Sequence, residues 1–181
     1  MDEMRTKIRR ALLEGLGLKK VQRAGWRRVG LTGVESVAAH SWGVAWLVLA
    51  LCPSALDRGR ALAIAVIHDL AEVQVGDITP HDGISKSEKQ ARETHALQRM
   101  LRGLPHASHL EDLWLDYEEG RSAEARLVRA CDKLDMALQA QLYAHEQGVD
   151  TGEFIASALA ALTDSELRVL VEEVPDSSGQ G

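Results

Sequence analysis

Residues Ala63 to Asp77 read Ala-Ile-Ala-Val-Ile-His-Asp-Leu-Ala-Glu-Val-Gln-Val-Gly-Asp, an apolar run that leads into adjacent His68 and Asp69. Helical periodicity covers about 57–74, and Gly76 breaks it. A histidine beside an aspartate offers one nitrogen and one oxygen to a single metal ion. Neighbouring side chains on a helix point about 100° apart, so both reach one ion only near a helix end or where the ion sits between helices. Other elements must then complete the shell. His40, 28 residues before His68, and Asp132, 63 residues after Asp69, are the candidates.

Working outward, helical periodicity also covers about 4–16, 36–51, 86–103, 109–119, 122–147 and 152–172, and the β-branched clusters are too short for a sheet. The expected fold is all-α, a bundle of about six to seven helices. Ser36 and Asp57 stand as N-caps, while Ser85 with Glu88 and Thr163 with Glu166 are spaced as capping boxes. Pro53 ends the helix 36–51, Gly76 and Pro80 break the chain after the His-Asp pair, and Gly148 ends the long helix 122–147. Helix 36–51 is apolar nearly all round, which marks it as central and buried, and His40 lies in its first turn. Asp132 borders the stripe Leu127, Cys131, Leu134 and Leu138, where an unpaired carboxylate is costly and a cation compensates it. Asp135, beside it, reads equally well as a supporting partner or a solvated acid. The tail 173–181, with Pro175, Ser177, Ser178 and two glycines, is expected to be disordered.

A chain of 181 residues with 45% apolar composition fits one domain with a sizeable core. Cys52 and Cys131 both sit in apolar stretches, so reduced thiols and a cytoplasmic setting are expected. The first residues show no basic segment leading into an apolar run, and the most apolar stretch, Val44 to Cys52, is far shorter than the roughly 20 residues that span a bilayer. Net charge is −6, yet residues 1–28 carry nine Lys/Arg against three Asp/Glu. The acidic remainder argues against nucleic-acid binding, while Lys19, Lys20, Arg23, Arg27 and Arg28 around Trp26 suit a small phosphate. For most of these side chains a solvated charged face is the plain reading.

Trp26, Glu-Ser-Val-Ala-Ala-His at 35–40, His68-Asp69, Glu72, Gly76-Asp77 and Cys-Asp-Lys-Leu-Asp at 131–135 occur in the order that resembles the HD-domain phosphohydrolases, and in detail the 5'-deoxynucleotidase group. The resemblance covers roughly residues 20–145. It implies one HD domain over 1–172, with a motif-bearing core at about 20–147, and a homodimer. The metal ligands are then His40, His68, Asp69 and Asp132, around one divalent ion such as Mn, Co, Fe or Zn. Asp77 is implied to contact the phosphate ester or the sugar of a nucleoside monophosphate. Some members have Arg directly before the Trp, where this chain has Gly25, so Arg23 or Arg27 takes that part.

Two imidazoles and two carboxylates neutralise most of a divalent charge and leave coordination positions open, the mark of a catalytic rather than a structural ion. Such an ion polarises a phosphoryl oxygen and makes hydroxide available at neutral pH. Glu72 follows His68 by four residues and Asp69 by three, on the same face if the helix is continuous, and suits proton transfer. Trp26 is expected to wall or stack a sugar and base, and Lys86 is a further phosphate contact. The expected reaction is hydrolysis of the 5'-phosphate of a nucleoside monophosphate, a deoxynucleotide above all. One alternative is a two-metal phosphodiesterase or oxygenase, with His81, His95 and His109 as its extra ligands, although His106 and His109 read as loop. The other is a non-catalytic module that binds a nucleotide or a partner.

Overall fold

The computed structural model describes residues 2–172, so the expectation for the tail 173–181 lies outside the described residues. The described chain is helical, with one isolated bridge between Gln22 and Ser36 in place of any sheet. In order the helices are α1 (Asp2–Gly15), α2 (Ala24–Arg28), α3 (Val37–Leu51), α4 (Arg58–Ile67), α5 (Glu72–Val75), α6 (Lys86–Leu101), α7 (Ala107–Glu119), α8 (Ala123–Gln147), α9 (Gly152–Ala161) and α10 (Ser165–Glu172). Short 3₁₀ turns occupy Leu16–Lys20 and Pro80–Asp82.

Local chemistry sets most boundaries. Ser36 Oγ accepts from Ala39 N, Asp57 Oδ1 from Arg60 N, and Ser85 Oγ from Glu88 N. The reciprocal arm of the box at Ser85 does not form, since the Glu88 carboxylate takes the Arg92 guanidinium one turn on. Ser122 caps α8 in the same way, and Gly148 closes it in the left-handed region.

Helix α8 is the spine. It packs against α3, α4, α7, α9 and α10, and α3 lies across α4. The main core joins Val44 and Val48 of α3, Ile64 of α4, Leu97 of α6, Trp114 of α7 and Val128 of α8. A second cluster seats α9 and α10 on Leu134 and Ala137, and a third packs Trp26 against Ala140 and Tyr143. Each fully buried large apolar side chain contributes roughly 1.5–3 kcal/mol of transfer free energy.

Several expectations are corrected. The span 57–74 is not one helix. After Ile67 the hydrogen bonds shorten to three-residue steps, Leu70 to Ile67, Glu72 to Asp69 and Val73 to Leu70, leading into the short helix α5. The span 152–172 divides at Leu162, and its second part is capped not by Thr163 but by Asp164, whose Oδ1 accepts from Glu166 N and Leu167 N. His109 stands inside α7 rather than in a loop. Helix α3 is not buried all round: Trp42 is 71% and Trp46 54% exposed, and Leu49 is also exposed.

Candidate metal centre

Three parts of the fold meet at one point. The tight turn after α4 matters first, because it lets consecutive side chains face the same spot: His68 Nε2 lies 3.2 Å from Asp69 Oδ2. From α3, His40 Nε2 lies 3.6 Å from Asp69 Oδ2 and 3.3 Å from Asp132 Oδ1 on α8. His40, His68 and Asp132 are all buried, and their donor atoms lie within 4.8 Å of one another. The second nitrogen of each ring is spoken for, His68 Nδ1 by the Ala65 carbonyl at 2.8 Å and His40 Nδ1 by Asp135 Oδ2 at 2.6 Å. Each Nε2 is buried and faces the Asp69 carboxylate without a hydrogen bond. Two orphaned imidazole nitrogens converging on two carboxylate oxygens fit a divalent cation, which would satisfy all four at once.

Electrostatics agree with that fit. Burial pushes the Asp69 carboxyl up, but His68, His40 and Arg23 outweigh it and hold the group well below the usual carboxylate range. Asp132 is likewise held low against its burial, by Lys133, His40 and His68. Asp132 Oδ2 accepts from the Tyr117 hydroxyl at 3.0 Å and lies 3.0 Å from Lys133 Nζ, leaving Oδ1 for the centre. Burial, followed by the Asp132 and Asp69 charges, raises the Tyr117 hydroxyl well above its ordinary value, so it remains a donor. Tyr117 also packs on the His68 ring at 4.9 Å between centroids.

A cavity of about 870 Å³ opens from this point, lined by Arg23, His68, Asp69, Glu72, Asp77 and Asp132 among others. Glu72 reaches it from the first turn of α5. Its Oε2 is buried and unpartnered, and burial together with Asp69 and Asp77 pushes its carboxyl well above the usual range. Asp77 follows Gly76, whose φ of 78° is a conformation that L side chains rarely adopt, and its Oδ2 accepts from Ala24 N at 2.7 Å. That bond ties the loop to the start of α2, next to Arg23. The Arg23 guanidinium is 4.0 Å from both Glu35 Oε1 and Asp69 Oδ2.

Of the other expected contacts, Trp26 and Lys86 line the cavity and Arg27 does not. Trp26 is 1% exposed, packed on Tyr143 and Phe154, with its indole N–H donated to Glu35 Oε1, so it builds the wall without offering an open stacking face. Arg27 is exposed and outside the cavity lining, where Arg28 is found instead, paired with Glu153. Lys86 is exposed at the rim. Among the described residues no cluster of possible metal ligands includes His81, His95 or His109. Tyr117, Lys89 and Lys133 were not singled out in the sequence, for a tyrosine or a lysine on a helix carries no spacing signal of its own.

A family model described as HD domain matches residues 17–170. The chain is 35% identical over 162 residues to the human 5'-deoxynucleotidase HDDC2, covering 87% of this chain and 79% of that one. Its fold is similar to that of a conserved hypothetical protein from Pyrococcus furiosus, with a TM-score of 0.76, 32% identity, and coverage of 91% of this chain and 96% of the other. A predicted metal-dependent phosphohydrolase from Magnetospirillum magnetotacticum superposes with a TM-score of 0.70 at 26% identity, covering 93% and 94%.

Proposed function

Since the chain belongs to the HD domain family, we propose that it is a metal-dependent phosphoric monoester hydrolase that releases phosphate from nucleoside 5'-monophosphates, deoxyribonucleotides above all. The observation that carries the reading is the pair of orphaned Nε2 atoms of His40 and His68 facing Asp69 and Asp132 at the floor of a cavity that also holds the unpartnered Glu72 Oε2. The human relative's name as a 5'-deoxynucleotidase supports the substrate class. We read residues 1–172 as one domain.

His40, His68, Asp69 and Asp132 would hold the ion, with Mn, Co, Fe and Zn all compatible with mixed nitrogen and oxygen donors. When bound it supplies Lewis acidity to the phosphoryl group and to attacking water. Water oxygen bonds to phosphorus as the bond to the 5'-oxygen breaks, and the proton that water loses must reach the departing 5'-oxygen. Glu72 suits that transfer, because its carboxyl is buried, oriented by no other partner and shifted towards neutrality. Arg23 supplies a fixed positive charge, and Asp77 holds the neighbouring loop against α2.

No helix of the described chain is long and apolar enough to cross a membrane, and two free, buried cysteines are consistent with a cytoplasmic location. We read the protein as a homodimer that buries Trp42, Trp46 and Leu49, a stripe at helical spacing on the uncharged helix α3. Light scattering of the wild type and of Trp46→Glu tests the dimer. The activity is tested by phosphate release from a panel of deoxy and ribo monophosphates after chelation and reconstitution with single metals. Release that needs no metal, or none from any nucleotide with every metal, overturns it.

A further inference from the structure

Lys89, near the start of α6, lines the cavity and is held in its wall from two sides. Its ammonium donates to the Ile78 carbonyl at 3.1 Å and lies 3.5 Å from Glu93 Oε1, a carboxylate that is itself 7% exposed. Ile78 follows Asp77, so the ammonium is pinned beside the loop that carries Asp77. An ammonium has three N–H donors. The carbonyl takes one and Glu93 faces another, which leaves a donor for the cavity that the side chain lines at 36% exposure. Although burial works against the charge, Glu93, Glu72, Asp69 and Asp77 outweigh it and raise the ammonium's pKa, so Lys89 stays cationic.

The cavity has need of that cation. Asp69, Glu72, Asp77 and Asp132 all line it, and a phosphate monoester brings further negative charge into the same space. Arg23 stands between Glu35 and Asp69 at 4.0 Å from each, so its charge is shared before any ligand arrives. Lys86 is exposed, where water screens it, and Lys133 is taken up by Asp132 at 3.0 Å. Lys89 is half-buried, held from two sides and within the same walls as Glu72 and Asp77.

We propose that Lys89 is a phosphate-binding residue of this cavity, donating to a phosphoryl oxygen from the α6 side while Arg23 faces the same group from the α2 side. This rests on the reading of the site as one that takes phosphate monoesters. Glu93 and the Ile78 carbonyl act as the brace that keeps the ammonium from leaving for solvent. A purely structural role is the competing account, in which Lys89 only neutralises Glu93 and fastens the loop.

The two are separated with metal-loaded protein, using inorganic phosphate as the probe in calorimetry and a nucleoside monophosphate in steady-state kinetics. Lys89→Met is expected to weaken phosphate binding and raise KM on the order of 10–100-fold, with kcat changed less and metal content unchanged. The double variant Lys89→Met with Glu93→Gln removes the unpaired acid, so a structural lysine would be rescued by it and a phosphate-binding lysine would not. Lys89→Gln answers the same question if the Met variant does not fold. Wild-type affinity for phosphate in either single variant, or recovery in the double, overturns the proposal, as does a wild-type protein that binds no phosphate. A wild type that binds phosphate but cleaves no nucleotide sinks the substrate reading and leaves the Lys89 assignment standing.

Discussion

Asp135 Oδ2 sits 2.6 Å from His40 Nδ1, and Gly43 makes the room for it: a Cβ on Gly43 would fall 2.0 Å from Asp135 Oδ1. A proton on Nδ1 directed at that carboxylate would leave Nε2, which faces Asp69 and Asp132, to a metal, the arrangement that orients an imidazole for an ion. Gly43→Ala is therefore expected to displace Asp135 and weaken metal affinity by roughly 10–100-fold. The helix itself should not suffer, since alanine is favoured over glycine in a helix interior by about 1 kcal/mol. Metal titration against a competing chelator, alongside a melting curve, measures both. An unchanged affinity would remove Asp135 from the role of orienting His40.

His68 is the proposed ligand whose loss is easiest to interpret, because its Nδ1 is held only by the Ala65 carbonyl and its Nε2 faces Asp69 without a hydrogen bond. His68→Ala should lose bound metal and turnover together, since one missing donor from a small shell weakens the whole site. Elemental analysis after dialysis, paired with phosphate release, reads the two losses in one preparation. Full turnover by the metal-depleted variant would contradict the hydrolase reading.

Glu72 differs in kind. Its carboxyl is pushed well above the usual range by burial and by Asp69 and Asp77, which suits holding and passing a proton. Glu72→Gln keeps the shape and removes the proton. It should retain the ion and the substrate KM while kcat falls by roughly 10²–10⁴. Loss of the ion in this variant would make Glu72 a ligand or a ligand's support instead.

The cluster was legible because metal chemistry constrains residue type: His40, His68, Asp69 and Asp132 stand out from the apolar helices around them, and the fold brings them to one point. The all-α fold was legible for a similar reason, since Ser36, Asp57 and Ser85 all cap helices as short polar side chains do. The break after Ile67 was not, because Leu70, Ala71 and Val73 fit a helical period whether the turn is α or 3₁₀. The orientation of Trp26 was not legible either: it lines the cavity, but its indole N–H is given to Glu35 and its ring packs on Phe154, which no spacing in the sequence announces. Asp135 was left undecided because nothing in the sequence announces that Gly43 clears space opposite it.

Asp116 joins three helices away from the cavity. It is 2% exposed and accepts from Arg60 Nη2 at 2.6 Å, Ser122 N at 2.8 Å and Ser122 Oγ at 2.7 Å, linking α7 to α4 and the start of α8. Burial raises its pKa, but those hydrogen bonds prevail and hold it below the ordinary value. A carboxyl whose folded pKa is depressed contributes stability above its unfolded pKa of about 3.9 and loses it as pH falls through the folded value. Asp116→Asn should thus lower stability by ~1–3 kcal/mol near neutral pH. The gap to wild type should narrow below about pH 4. Denaturant melts of both proteins across that range check it, and a gap that stays constant with pH would assign the loss to packing rather than charge.

The proposed sugar preference would turn on Asp77, whose Oδ2 is already engaged with Ala24 N at 2.7 Å beside Arg23. A carboxylate fixed in that way can crowd or poorly solvate a 2'-hydroxyl while tolerating its absence, and a site of this kind discriminates on the order of 10–100-fold. Deoxyribonucleoside monophosphates should therefore show a higher kcat/KM than matched ribonucleotides, with weak choice among bases because Trp26 is turned into the core and offers no open face. Two variants separate the charge of Asp77 from its tether. Asp77→Ala removes both and should bring the deoxy to ribo ratio towards one, with a drop in kcat/KM for either sugar as the Arg23 segment loosens. Asp77→Asn keeps an oxygen for the Ala24 N–H, so a ratio that survives there assigns the selection to the position of the loop, and one that collapses assigns it to the charge. Equal kcat/KM for the two sugars in the wild type would refute the preference, and a ratio unchanged in Asp77→Ala would take Asp77 out of it.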